Sequence, residues 1–128
     1  MSKATKNDVI DNKIPTEYLT LDGLASMCWA FKYGAGKYDD YNYYKGHTVN
    51  QLCAAAIRHI LQFKDGEDVD SESLVSHLGH AMASLAMIEK QRALGTSIDD
   101  RYKGGQTYEG VEYATDLSTV LSKLDSGT

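Results

Sequence analysis

Apolar side chains recur every three or four positions in four stretches of the chain, and no stretch sustains alternation with period two, so the pattern predicts an all-α protein. The first helix is expected over Leu21–Tyr33. Leu21, Leu24, Ala25, Cys28 and Phe31 keep helical spacing, Thr20 is a fitting N-cap, and Asp22 suits the positive end of the helix dipole. Gly34 and Gly36 then read as its stop. Thr48 and Gln51 form a T-x-x-Q capping box, which opens a second helix over Val49–Phe63 that Lys64, Asp65 and Gly66 break. The third helix is expected over Ser71–Leu94, with Gly95 as its stop, and should be the spine of the domain. A short fourth helix over Asp116–Leu124 is carried by Leu117, Val120, Leu121 and Leu124, and should dock on the rest. Residues 1–17 are polar and unpatterned, with Pro15 at their end, and read as an arm. Residues 18–128 read as one domain, since a chain of 128 residues has the size of a single core.

Composition narrows the partners. A net charge of −5 leaves no basic footprint for the phosphates of a nucleic-acid duplex, and an anionic small substrate would need a metal ion as a bridge. No apolar run approaches the length of a membrane span. Cys28 and Cys53 sit apart within helical patterns, which suggests buried free thiols in a reducing cytosol rather than a disulfide.

The chemistry gathers between Arg58 and His80, which holds three of the four histidines together with Glu67, Asp68, Asp70 and Glu72. At about 100° per residue, His59 falls on the helical face of Leu52, Ala56, Ile60 and Phe63, so it points inward. His77 and His80 lie three apart and flank a stripe of Leu74, Leu78, Ala81, Leu85 and Ile88. An inward histidine alone is usually a core residue, and GEDVDSES alone is usually a solvated turn with an N-cap at Asp70 or Ser71. Together, His59, Glu67, Asp70, His77 and His80 exceed what packing needs, and mixed carboxylate and imidazole sets suit divalent cations. Imidazole favours Mn2+ or another transition ion over Mg2+. The loop from Gly34 to His47 is long for a helical connection and rich in tyrosine. Its rings and lysines suit a flat base with phosphates, and suit a subunit interface equally well. Arg58 could reach a phosphate or be solvated.

The ordered runs KYGAGKYDDYNYYKG, AAIRH, GEDVDSES, HLGHA and DDRY resemble the phage dATP/dGTP diphosphohydrolase family, also called MazZ-like, which is associated with the all-α MazG-like nucleoside triphosphate pyrophosphatases. The resemblance covers about Tyr33 to Tyr102. It implies a compact helical bundle, a homo-oligomer, dependence on a divalent metal, and conversion of purine dNTPs (dGTP or dATP) to dNMP and pyrophosphate in the cytoplasm, that of a bacterial host if the chain is phage-encoded. MazG-like enzymes carry E-E-x-x-E and E-x-x-D helical motifs; the comparable positions here are Arg58, His59, His77 and His80. The expected site therefore has His59, Glu67, Asp70, His77 and His80 around metal, with Glu67, Asp70 and His59 catalytic. Lys37 and Arg58 are expected on phosphates and Tyr38 and Asn42 near base or sugar. Two other readings stand beside this one. One is a histidine-aspartate-type phosphohydrolase, for which the chain lacks an adjacent His-Asp pair; the other is a non-catalytic helical interaction protein with core histidines.

Overall fold

The structure, a computed structural model, describes residues 13–103 and 114–125. Among these it has four α-helices, α1 (Leu21–Lys37), α2 (Val49–Lys64), α3 (His77–Leu94) and α4 (Leu117–Asp125), and no strand beyond two isolated bridges. Leu19–Lys103 form one compact unit, and α4 and a short 3-10 turn at Thr16–Tyr18 belong to another. The expected arm falls mostly outside the described residues.

The helices begin where local capping chemistry is strongest. The Thr20 hydroxyl accepts from the Gly23 amide at 3.1 Å, and that of Thr48 accepts from Gln51 at 3.1 Å, each satisfying an amide with no partner inside its helix. A second cap on α2 comes from far along the chain: Asp100 Oδ1 accepts from the Asn50 amide at 2.9 Å, and its carbonyl accepts from the Asn50 side chain at 2.9 Å. Beside it, Val49 donates to Ile98 O, and Ile98 donates to His47 O. Asp99 is held below the usual carboxylate range by the Arg101 guanidinium, which donates to both its oxygens. Asp100 thus fastens the start of α2 from beyond α3. Asp100→Ala is expected to cost about 1 kcal/mol, the usual worth of a cap, as a lower urea midpoint with an unchanged slope.

Two boundaries differ from the sequence reading. Helix α1 runs through Gly34 and Gly36 to Lys37, because Tyr33 and Lys37, one turn apart, both grip Glu72 across the unit at 3.0 and 3.3 Å. Helix α3 starts at His77 after an N-cap at Ser76, so it is shorter than expected. Residues 70–75 instead form a tight turn: Asp70 Oδ2 accepts from the Ser73 amide, and Leu74 takes a left-handed conformation with φ 59°.

Helix α3 packs against both α1 and α2. Its buried face is not the leucine stripe. Leu78 and Leu85 are exposed, while His77, Ser84 and Gln91, seven residues apart, are buried together with Ala81 and Ala83. Small residues win this face because α1 comes close: a Cβ on Gly79 would overlap the carbonyl oxygen of Ser26. The apolar core is correspondingly slight, built from Ala30, Val49, Leu52, Ala56, Ala81 and Ala83. Trp29, Ile57 and Leu61 each remain more than half exposed. Both cysteines are free; Cys28 is exposed rather than buried, and Cys53 is half-buried.

Candidate functional site

The tight turn and the first turn of α3 bring His77 against His59 of α2. His77 is fully buried, and its amide donates to Asp68 O at 3.1 Å, which ties the helix start to the acidic segment. Its ring is fixed on both sides. Nε2 meets Glu67 Oε1 at 2.8 Å, and Nδ1 meets His59 Nδ1 at 2.8 Å. With Nε2–H donated to a carboxylate, the lone pair of a neutral His77 is on Nδ1 and aims at His59.

His59, Asp70 and His77 each offer one atom to a group lying within 4.8 Å of one another, which could hold a metal ion. The donor chemistry fits. Two nitrogens about 2.1 Å from a common ion and at right angles stand about 3 Å apart, close to the 2.8 Å between these Nδ1 atoms. A histidine whose remote N–H is donated to a carboxylate is the usual outer arrangement around a ligating imidazole, and Glu67 supplies it for His77.

Glu67 therefore stands behind His77, outside the three-residue group. His80 also lies outside it: its ring stacks on His59 with centroids 4.6 Å apart, and its Nε2 meets Ser73 Oγ at 2.7 Å. Arg58 is exposed and close enough for its charge to act on His59. Lys37 pairs with Glu72 and lies 5.9 Å from the ring centres of both Tyr33 and Tyr38. Tyr38 and Asn42 line a cavity of about 450 Å³ between α1, the loop after it and Met87 of α3. Neither Tyr33 nor Lys37 lines that cavity. Sequence reasoning gave no role to Ser73, Glu72 or Gln91. Gln91 had a signal in its seven-residue spacing from His77 and Ser84.

Burial, followed by the charges of His80, His77 and Arg58, pushes the His59 pKa down, against a smaller opposing effect of Asp70. Burial does the same to His80, where Asp70 and Glu72 oppose and His77 adds to the lowering. The amide of Ser73 lowers Asp70, keeping it ionised. A histidine with a lowered native pKa binds its proton more readily unfolded. Stability is then fully present above about pH 6.5, the unperturbed value, and is lost as pH falls through the native pKa values. The melting temperature without metal is expected to be level from pH 7 to 8 and to fall below pH 6. A double variant, His59→Gln with His80→Gln, should flatten that fall.

An all-helical unit with a His–Asp–His group able to take a divalent ion defines a helical protein with a candidate metal centre. Residues 3–101 match the family described as dATP/dGTP diphosphohydrolase, N-terminal, and the chain belongs to that family. Its place is thus among hydrolases. No curated protein and no solved structure gives a match. No helix among the described residues is long and apolar enough to cross a membrane.

Proposed function

We propose that the protein is a divalent-metal-dependent pyrophosphohydrolase of purine deoxynucleoside triphosphates, converting dGTP or dATP to the monophosphate and pyrophosphate. Family membership supports the substrate class. The observation that carries the metal dependence is the facing pair of Nδ1 atoms on His59 and His77, with the other nitrogen of His77 already engaged by Glu67. His59, Asp70 and His77 would hold the ion, Mn2+ or Mg2+. When bound, it supplies a water of lowered pKa and offsets charge on the leaving pyrophosphate.

The chain's own residues have separable tasks. The cavity lined by Tyr38 and Asn42 would take base and sugar, and its volume is within the usual range for small-molecule sites, roughly 300–1,000 Å³. The phosphates would pass round the end of α1, where Lys37 exchanges Glu72 for a phosphate oxygen; Glu72 is two residues from Asp70 in the same turn. Arg58 approaches from α2. Glu67 uses one oxygen to orient His77 and keeps the other for the proton of the attacking water. His80 holds the His59 ring by stacking.

In this reading the unit of Leu19–Lys103 is a MazG-like helical bundle working in the cytoplasm, of a bacterial host if phage-encoded. It assembles as a homo-oligomer, since the slight core leaves Trp29, Ile57, Leu61 and Leu85 in need of cover. A panel of eight nucleotides with Mn2+ or Mg2+, with products resolved by chromatography, tests activity and base together. The expected result is turnover of purine deoxynucleotides only. Absence of turnover, with no rise in melting temperature on adding Mn2+ or Mg2+, would return the histidines to a structural role.

A further inference from the structure

The fourth histidine, His47, is outside the metal group and closes the tyrosine loop on the cavity side. Gln91, with no exposed surface, holds it by two hydrogen bonds and makes a third to Tyr43. Gln91 Oε1 accepts from the His47 amide at 3.0 Å, and Gln91 Nε2 donates to Tyr43 O at 2.8 Å. Those two backbone partners fix which end of the amide is oxygen and which is nitrogen. The remaining N–H of Gln91 then points at His47 Nδ1, 2.8 Å away, so Nδ1 must accept. A neutral His47 therefore carries its proton on Nε2.

That Nε2–H has no acceptor among the described residues, and His47 lines the cavity with Phe31, Asn42, Tyr43 and Met87. Phe31 and Tyr43 pack with ring centres 5.2 Å apart, giving the cavity an aromatic wall for a flat ring. A donor with fixed direction beside such a wall selects for an acceptor at the ligand's edge. Adenine and guanine differ at the six-position, where one donates and the other accepts, but both accept at N7. Pyrimidines have no equivalent atom.

We propose that His47 Nε2–H donates to purine N7, and that Gln91 is the positioning residue that sets this tautomer. The cavity then accepts both purines and discriminates against pyrimidines with one polar contact. This deepens the purine nucleotide reading and rests on it.

Calorimetric binding of dGMP and of its 7-deaza analogue, which lacks the N7 acceptor, to the full chain tests the contact without requiring catalysis. Wild type is expected to bind the analogue about tenfold more weakly, as for one lost hydrogen bond in a partly buried site. His47→Phe should bind both equally and weakly, while His47→Gln, which can present an N–H near the same place, should regain part of the preference. Nitrogen-15 NMR should show the Nε2–H tautomer of His47 in wild type and a mixture in Gln91→Leu. If wild type binds and hydrolyses purine nucleotides but treats the 7-deaza analogue as equal, the His47 contact is wrong and the function stands. If wild type neither binds nor hydrolyses any purine nucleotide, the function falls, and this inference with it.

Discussion

His77→Ala is expected to remove turnover altogether and to remove the rise in melting temperature that Mn2+ produces. Its ring is fully buried, faces His59 through Nδ1 and engages Glu67 through Nε2. Loss of the ring deletes one of three donors and leaves Glu67 without its partner. Glu67→Gln provides the scale, because it keeps the ligands and disturbs only the orientation of His77 and the proton acceptor. Changes in such outer partners cost about 10–100-fold in metal affinity, and His77→Ala should exceed that. The variant opens a buried space, so the measurement is metal affinity per folded molecule, with the helical circular dichroism signal as the control. A folded His77→Ala protein with wild-type metal affinity would place the ion elsewhere.

Gly79→Ala should produce the largest loss of stability from the smallest change. In an isolated helix this substitution gains about 1 kcal/mol, so intrinsic propensity predicts the opposite sign. The added methyl meets the Ser26 backbone rather than a side chain that can turn away. The two helices must separate, and overpacking of this kind costs typically 1–3 kcal/mol. A net loss, seen as a melting temperature several degrees lower, is the expected outcome. Because α1 also brings Tyr33 to Glu72 and to the edge of His80, activity should fall in the protein that remains folded. A more stable Gly79→Ala protein would mean that α1 and α3 are not closely crossed there.

What could be read from the sequence was the local chemistry. The start of α2 is as expected, since the Thr48 cap reaches only three residues along the chain. The end of α1 is not, because the residue that extends it past two glycines is Glu72, which lies beyond α2. The helix N-cap expected at Asp70 or Ser71 is at Ser76 instead, and Asp70 accepts an amide three residues on within a turn. The chain after it turns rather than coils, and Leu74 in a left-handed conformation carries no signature that would announce it. His59 was visible as an inward residue in a stretch dense with acids, whereas His77 was expected beside the leucine stripe and is instead fully buried. Which carboxylate faces the ion and which stands behind a histidine depends on which ring nitrogen is turned where, and helical periodicity does not encode that. Asp99, Asp100 and Arg101 had no assigned role from sequence, because the helix start that Asp100 fastens precedes it by 50 residues.

The most direct test of the account is phosphorus NMR of dGTP turning over with Mn2+. Attack at the α-phosphorus needs base and sugar anchored so that water lines up with the bond to pyrophosphate, and a misplacement of about 1 Å can cost on the order of 100-fold. The account predicts dGMP and pyrophosphate as the product pair. A pair of dGDP and phosphate, or of deoxyguanosine and triphosphate, would contradict it.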